Sequence, residues 1–305
     1  MKSVAIIILN WNGRDDTLAC LHSLCHIDYP NFQIMVVDNH SSDDSVAVIQ
    51  KEYPHITLIQ TDENLGYVGG NNVGLTLARQ QNFDYALLLN NDTEVDPQFL
   101  QVLVAAAEAD PAVGIVGPTI YYFDAPQTIW SAGGAINWRQ GLTRMIGLNE
   151  PDQGQFGQLP RPVEFVTGCA LLIKMTVVAR IGVLDDRFFA YYEETEWCVR
   201  SARSGHKVMH VPAAKIWHKI SIQAREASPT VHYYMTRNRL LFLKATHAGL
   251  TPWLNTFLEY GRTLTSWTIK PRWRHKAPQR QAMLQAILDY WRGNFGRVNL
   301  PRSGT

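Results

Sequence analysis

The chain has 305 residues, 46% of them hydrophobic, enough for one large α/β unit with an appended segment and a core able to bury carboxylates, so a disordered chain is excluded. No run reaches the roughly 18 consecutive apolar residues that cross a bilayer, and Met1-Lys2-Ser3-Val4 leads into a short apolar run without a cleavage site, so the expected location is the cytoplasm. The net charge of +1 conceals an asymmetry: residues 1–219 carry 15 Lys and Arg against 24 Asp and Glu, whereas 220–305 carry 13 against 3, a basic tail suited to nucleic acid, an anionic membrane, diphosphates or mere solubility.

In chain order, β-branched and aliphatic runs at Val4–Leu9, Gln33–Val37, Ile56–Ile59 and Tyr85–Leu89 predict strands, and the 3.6-residue patterns between them predict helices over 14–25, 43–52 and 70–81. That alternation implies a mostly parallel sheet covered on both faces, with its ligand site at the carboxyl ends of the strands. Asn10-Trp11-Asn12-Gly13, Asp38–Asp43, Asn64-Leu65-Gly66 and Asn90-Asn91-Asp92 fall at those ends. A helix near 97–109 and an apolar run at Val113–Val116 follow, then a turn-rich stretch from Tyr121 to about Pro162 that reads as hairpin or loop. Next come an apolar run at Ala170–Ile173, helices near 175–181 and 194–204, and a strand at Lys207–Val211. From about 228 the pattern is helical, with breaks expected at Pro252 and Pro271. Cys20, Cys25, Cys169 and Cys198 form no CxxC pair and are expected to be buried free thiols.

Two stretches carry chemistry. Asn90-Asn91-Asp92 directly follows a buried strand, and oxygen ligands there suit Mg²⁺ or Mn²⁺; the same residues also make an ordinary turn that caps a helix. Phe188–Trp197 places Glu193, Glu194 and Glu196 among aromatics, whose partial desolvation raises carboxylate pKa and suits a general base; acids at a helix start also complement its dipole.

In this order, Ile8–Gly13, Val36–Asp43, Asn64–Asn72, Asn90–Asp92, Thr167-Gly168-Cys169-Ala170, Glu193-Glu194, Trp217-His218 and Arg237-Asn238 resemble the inverting glycosyltransferase family 2, in its non-processive, rhamnosyltransferase-like branch. The resemblance implies a GT-A fold, with residues 1–97 as the nucleotide-sugar half, 98–220 as the acceptor-binding and catalytic half, and 221–305 as a helical extension. It implies donor contacts from Asn10, Asn12, Asp38, Asn64, Gly66, Gly69, Asn72, Asn91 and Arg237. Asp92 matches the metal-binding carboxylate of the family's DxD motif, although Asn90 stands where the first Asp would be, and His218 matches a histidine that completes the metal site. Glu194 occupies the catalytic-base position, where the family usually has Asp, leaving Glu193, Glu196 and Trp197 to position the acceptor. The donor implied is dTDP-rhamnose, with UDP-hexoses including UDP-galactofuranose as alternatives, and the acceptor is a glycan or a polyprenyl-diphosphate-linked saccharide. Processive relatives carry transmembrane helices and a Gln-x-x-Arg-Trp motif that the sequence lacks, so one sugar per encounter is expected.

Other enzyme classes fit poorly. The turn after the first strand is not G-x-G-x-x-G, and no Gly-Lys-Ser/Thr P-loop occurs. A non-catalytic sugar-nucleotide or glycan binder is the rival. In the tail, Lys270, Arg272, Arg274, Lys276 and Arg280 are interleaved with Trp253, Phe257, Trp267, Trp273 and Trp291, a pattern that suits peripheral contact with an anionic membrane or, alternatively, a helical cap or homodimer interface.

Overall fold

A computed structural model describes residues 1–220 and 228–298. The first half runs β1 (Val4–Asn10), α1 (Arg14–Leu24), β2 (Phe32–Asp38), α2 (Ser45–Glu52), β3 (Thr57–Gln60), α3 (Gly66–Gln80), β4 (Tyr85–Asn90), β5 (Thr93–Val95) and α4 (Phe99–Glu108). The second runs β6 (Val113–Tyr122), β7 (Ile129–Ser131), β8 (Gly134–Asn137), β9 (Leu142–Met145), β10 (Arg161–Pro162), β11 (Ala170–Lys174), α5 (Met175–Ile181), α6 (Glu193–Arg203) and β12 (Lys207–His218). Helices α7 (Pro229–Ala245) and α8 (Leu250–Ile269), a 3-10 turn at Pro271–Lys276 and α9 (Ala277–Arg292) close the described chain.

One sheet joins both halves in the order β10-β12-β6-β11-β4-β1-β2-β3, with β5 and β7 paired on β12 and β6. Period-two alternation sorts its side chains. In β1, Ala5 and Ile7 join the core beneath α3, α6 and α7, while Val4, Ile6 and Ile8 join the core beneath α1 and α4. Strands β1, β2, β3 and β4 are parallel, whereas β11 runs antiparallel between β4 and β6. The amino end of β11 therefore lies at the same sheet edge as the carboxyl ends of its neighbours, which brings Thr167–Cys169 alongside Asn90.

Helix α3 starts at Gly66, four residues before its expected start, despite a glycine- and asparagine-rich turn of low helix propensity. Close packing compensates: a Cβ on Gly70 or Gly74 would sit 2.2 Å from Leu9 or 2.4 Å from Ile7, so these glycines let the helix lie directly on β1. Strand β12 runs beyond its expected end at Val211 because Pro212 is absorbed at a register shift between Val211 and Lys215, after which pairing resumes to His218. The turn-rich stretch holds a β8–β9 hairpin.

Helix α7 belongs to the core rather than to an appended segment. Its Leu240–Leu243 run is fully buried, and Phe242 packs against Tyr192 and Trp138. Cys20, Cys169 and Cys198 are buried free thiols as expected, but Cys25, which ends α1 at the surface, is exposed. Trp253 and Trp267 pack inward against the core and Trp273 is half-buried, so of the four C-terminal tryptophans Trp291 alone is largely exposed.

Candidate active site

The carboxyl edge of β1, β2 and β4 carries a laced polar floor. Asn10, fully buried, donates to Asp38 Oδ2 at 2.7 Å and accepts from Thr17, while Asp38 Oδ1 accepts the Ser41 amide at 3.0 Å. Asn12, on an exposed turn with φ 52°, accepts the Ser42 amide at 2.7 Å. These bonds tie the β1 and β2 loops into one rim, with the Trp11 indole 56% exposed on it. Asn39, which the sequence reading left unassigned, extends the lacing to the β3 loop: it donates to Asn64 Oδ1 and Gly66 O and accepts the Leu65 amide. Asn91 reaches back to Thr17 at 2.9 Å, and a Cβ at Gly13 would lie 2.5 Å from the Asn91 amide, so a larger residue there would displace that side chain.

Two residues beyond Asn90, the chain pairs back through β5 onto the end of β12, with Thr93 opposite His218. This short antiparallel pairing sets Asp92 Oδ1 3.1 Å from His218 Nε2. His218 is buried against Trp130, whereas the Asp92 side chain is 34% exposed. Neither Asp92 Oδ1 nor His218 Nδ1 has an aligned hydrogen-bond partner among the described residues, although both are buried atoms. Burial works against the charge on each, yet with Cys169 and Asp92 beside it the imidazole is raised, and His218 holds the Asp92 carboxyl below its ordinary range.

No three His, Cys, Asp or Glu side chains converge on a metal position among the described residues. The Asp92 carboxylate and the His218 imidazole at a partly open cleft nevertheless fit a hard divalent ion that takes its other ligands from water and diphosphate, as Mg²⁺ commonly does. The pair fits that ion better than a closed structural site, which needs about four protein ligands.

The second pair opens α6. Phe189, Tyr191 and Tyr192 have φ of 66°, 71° and 74°, a run of left-handed backbone in bulky residues that costs about 1–3 kcal/mol each and needs external restraint. Restraint comes from behind the loop. Asn238 Nδ2 donates to the carbonyls of Phe188, Ala190 and Tyr191, Arg237 donates to those of Arg187 and Phe188, and the Val68 amide at the start of α3 takes that of Phe189. Gly66, at φ 73°, passes so close to Phe189 that a Cβ would lie 2.6 Å from its ring.

The loop delivers Glu193 and Glu194 at the first turn of α6, and one carboxylate oxygen of each is buried without a partner. Burial raises the Glu193 carboxyl well above its usual range, with the adjacent Glu194 adding to the effect. Burial also pushes Glu194 up to about 7, opposed by backbone N–H groups of the helix start. The two adjacent carboxyls interact, and the more exposed of them is Glu194. Between the two pairs lies the Thr167–Cys169 turn: Tyr67, which senses the charge of both glutamates, donates to Gly168 O at 2.6 Å, and Cys169 flanks His218.

Other expected site residues are engaged elsewhere. Glu196 pairs with Arg200 at 2.8 Å, and Trp197 is fully buried, donating to Gly182 O; both face the α5–α6 connection because they lie on the inner side of α6. The Asn72 amide clamps Leu184 and Asp186, and Gly69 packs against Leu65. Arg237 is 1% exposed, its donors fixed on Gly296, Arg187 and Phe188 carbonyls and on Asn238, so it stands behind the acidic loop rather than at a diphosphate.

With this geometry established, residues 5–182 match the family model described as glycosyl transferase family 2. The chain belongs to that family. This glycosyltransferase is 24% identical over 237 residues to the N-acetylglucosaminyl-diphospho-decaprenol L-rhamnosyltransferase of Mycobacterium tuberculosis, covering 71% of this chain and 76% of that protein. It is 24% identical over 260 residues to the dTDP-rhamnosyl transferase RfbF of Shigella flexneri, covering 82% of each. The crystal structure of GalNAc-T7 with UDP, GalNAc and Mn²⁺ matches 96% of the glycosyltransferase at a TM-score of 0.64 and 14% identity, and the match spans 56% of that longer chain. The likeness places the fold among the GT-A glycosyltransferases.

Proposed function

We propose that this enzyme transfers a single sugar, with inversion, from a nucleoside diphosphate donor to an acceptor hydroxyl. The observation that carries the proposal is the pairing, across the Thr167–Cys169 turn, of an Asp92–His218 couple with a Glu193–Glu194 couple, one carboxylate oxygen of each glutamate being buried without a partner. Glu194 takes the acceptor proton while the acceptor oxygen bonds to the anomeric carbon and the bond to the departing diphosphate breaks on the opposite face. Glu193, whose carboxyl burial raises well above its usual range, stands beside Glu194 to position the acceptor. Asp92 and His218 would hold the divalent ion, Mg²⁺ or Mn²⁺, which when bound neutralises charge on the diphosphate. Asp38, Asn12, Asn64 and Asn91 line the donor side, Asn10 orients Asp38, and the Trp11 face is available to the nucleobase.

The relatives' names favour dTDP-rhamnose as donor and a glycan or polyprenyl-diphosphate-linked saccharide of the cell surface as acceptor. A UDP-hexose or UDP-galactofuranose is the alternative donor, consistent with the UDP of the structural neighbour. A protein that only bound sugar nucleotides would gain nothing from burying two adjacent carboxyls with one oxygen of each left without a partner.

The test is a panel of nucleotide sugars read by thermal shift and nucleotide release. dTDP-rhamnose with Mn²⁺ or Mg²⁺ is expected to raise the melting point and release dTDP, and Asp92→Ala to abolish the metal-dependent part. The reading fails if no nucleotide sugar shifts the melting point.

A further inference from the structure

Helix α8 buries one side and leaves the other bare. Pro252, Thr256 and Tyr260 face inward, whereas Leu250 (72% exposed), Leu254, Phe257, Leu258 (64%) and Ile269 (70%) project outward. Their spacing follows helical turns along a single face. Phe257 stacks on Trp291 of α9 at 6.2 Å between ring centroids, and Leu284, Leu288 and Trp291 continue the exposed apolar surface along that helix at i, i+4 and i+7. A shallow groove of about 510 Å³ follows the α8 stripe, bordered by Arg262 and Lys270.

The surroundings of this face carry one sign of charge. Arg262, Lys270, Arg272, Arg274 and Arg292 are exposed around it. The two acids of residues 228–298 are already engaged: Glu259 pairs with Arg239, and the buried Asp289 accepts from Tyr233, Gln285 and Asn294. A large apolar patch rimmed by polar residues marks an interaction site. A symmetric dimer through this patch would set the cationic rim against its own copy, and the one exposed acid of the segment, Glu259, is already paired with Arg239. An anionic lipid surface offers both what the leucines need and what the rim needs.

We propose that the outward face of α8 and α9 docks on an anionic bilayer surface. Leu254, Phe257, Leu258 and Trp291 enter the headgroup boundary, and Arg262, Lys270 and Arg272 meet lipid phosphates. Of the tryptophans in this segment, Trp291 is in position to contact lipid, since Trp253 and Trp267 pack inward. This surface is separate from the catalytic pairs, so the proposal stands or falls independently of the transfer chemistry.

The experiment is co-sedimentation of the full chain with vesicles of phosphatidylcholine alone or with about one-third phosphatidylglycerol, at low and high salt, beside sedimentation velocity without lipid. The wild type is expected to partition onto the anionic vesicles at least about tenfold better than onto the neutral ones, and less at high salt. Leu254→Glu/Leu258→Glu should lose on the order of tenfold in partitioning on either vesicle, and Arg262→Gln/Lys270→Gln should lose the preference for phosphatidylglycerol, with melting points near wild type. The proposal is overturned if the wild type stays in the supernatant with anionic vesicles, or if folded Leu254→Glu/Leu258→Glu binds them as well as the wild type. It is equally overturned if the wild type is a dimer that this variant renders monomeric while vesicles leave the dimer intact, since the face would then be a self-interface.

Discussion

Burial pushes Glu194 up to about 7 and raises Glu193 as well, which fixes the direction of two pH effects. A general base acts ionised, so kcat/KM is expected to fall about tenfold per unit as pH drops below about 7. Stability runs the other way. A carboxyl whose folded pKa exceeds its unfolded value of 4.5 gives full stability below that value and loses it as pH rises towards the folded pKa, here between about 4.5 and 7. Glu194→Gln, which cannot ionise, is therefore expected to be more stable than wild type at pH 8, seen as a higher melting point. An unchanged or lower melting point would remove the burial cost assigned to this carboxyl. The identity of these residues was legible because acids among aromatics signal desolvation. The inward direction of Glu196 and Trp197 was not, because the sequence does not reveal which face of the helix the core takes.

Among the elements, the strands after which the chemistry falls were readable from their apolar runs, and the elements that assemble the site were not. Strand β5 has three residues and no period to detect, yet its pairing with β12 is what sets Asp92 against His218. The end of β12 lay hidden behind Pro212. Arg237-Asn238 stood out as a pair, but its task is to hold carbonyls of a loop some fifty residues away, which only the packing of α7 reveals. Asn238→Ala removes the one amide that serves three carbonyls of the strained 188–191 backbone and is expected to lower kcat by about 100-fold with little change in donor KM, because the donor floor lies on other elements. The acid limb of its pH profile should also move, since the Glu193–Glu194 environment relaxes. A variant that lost only melting temperature, with kcat and pH profile intact, would limit Asn238 to a structural role.

At the scale of the whole molecule, the acidic catalytic body and the basic helical end are separate surfaces on one core, and α7 joins them: its inner side latches the acidic loop while α8 and α9 pack beyond it. No helix among the described residues is long and apolar enough to cross a membrane. The central claim is that Glu194 is the base of an inverting sugar transfer. It is tested most directly by the transfer rate of Glu194→Gln at saturating donor, with donor affinity measured in parallel. The account predicts donor binding within about twofold of wild type, a loss of about 10²–10⁴ in kcat, and an inverted anomer from the wild type; Glu194→Gln turning over near the wild-type rate would contradict it.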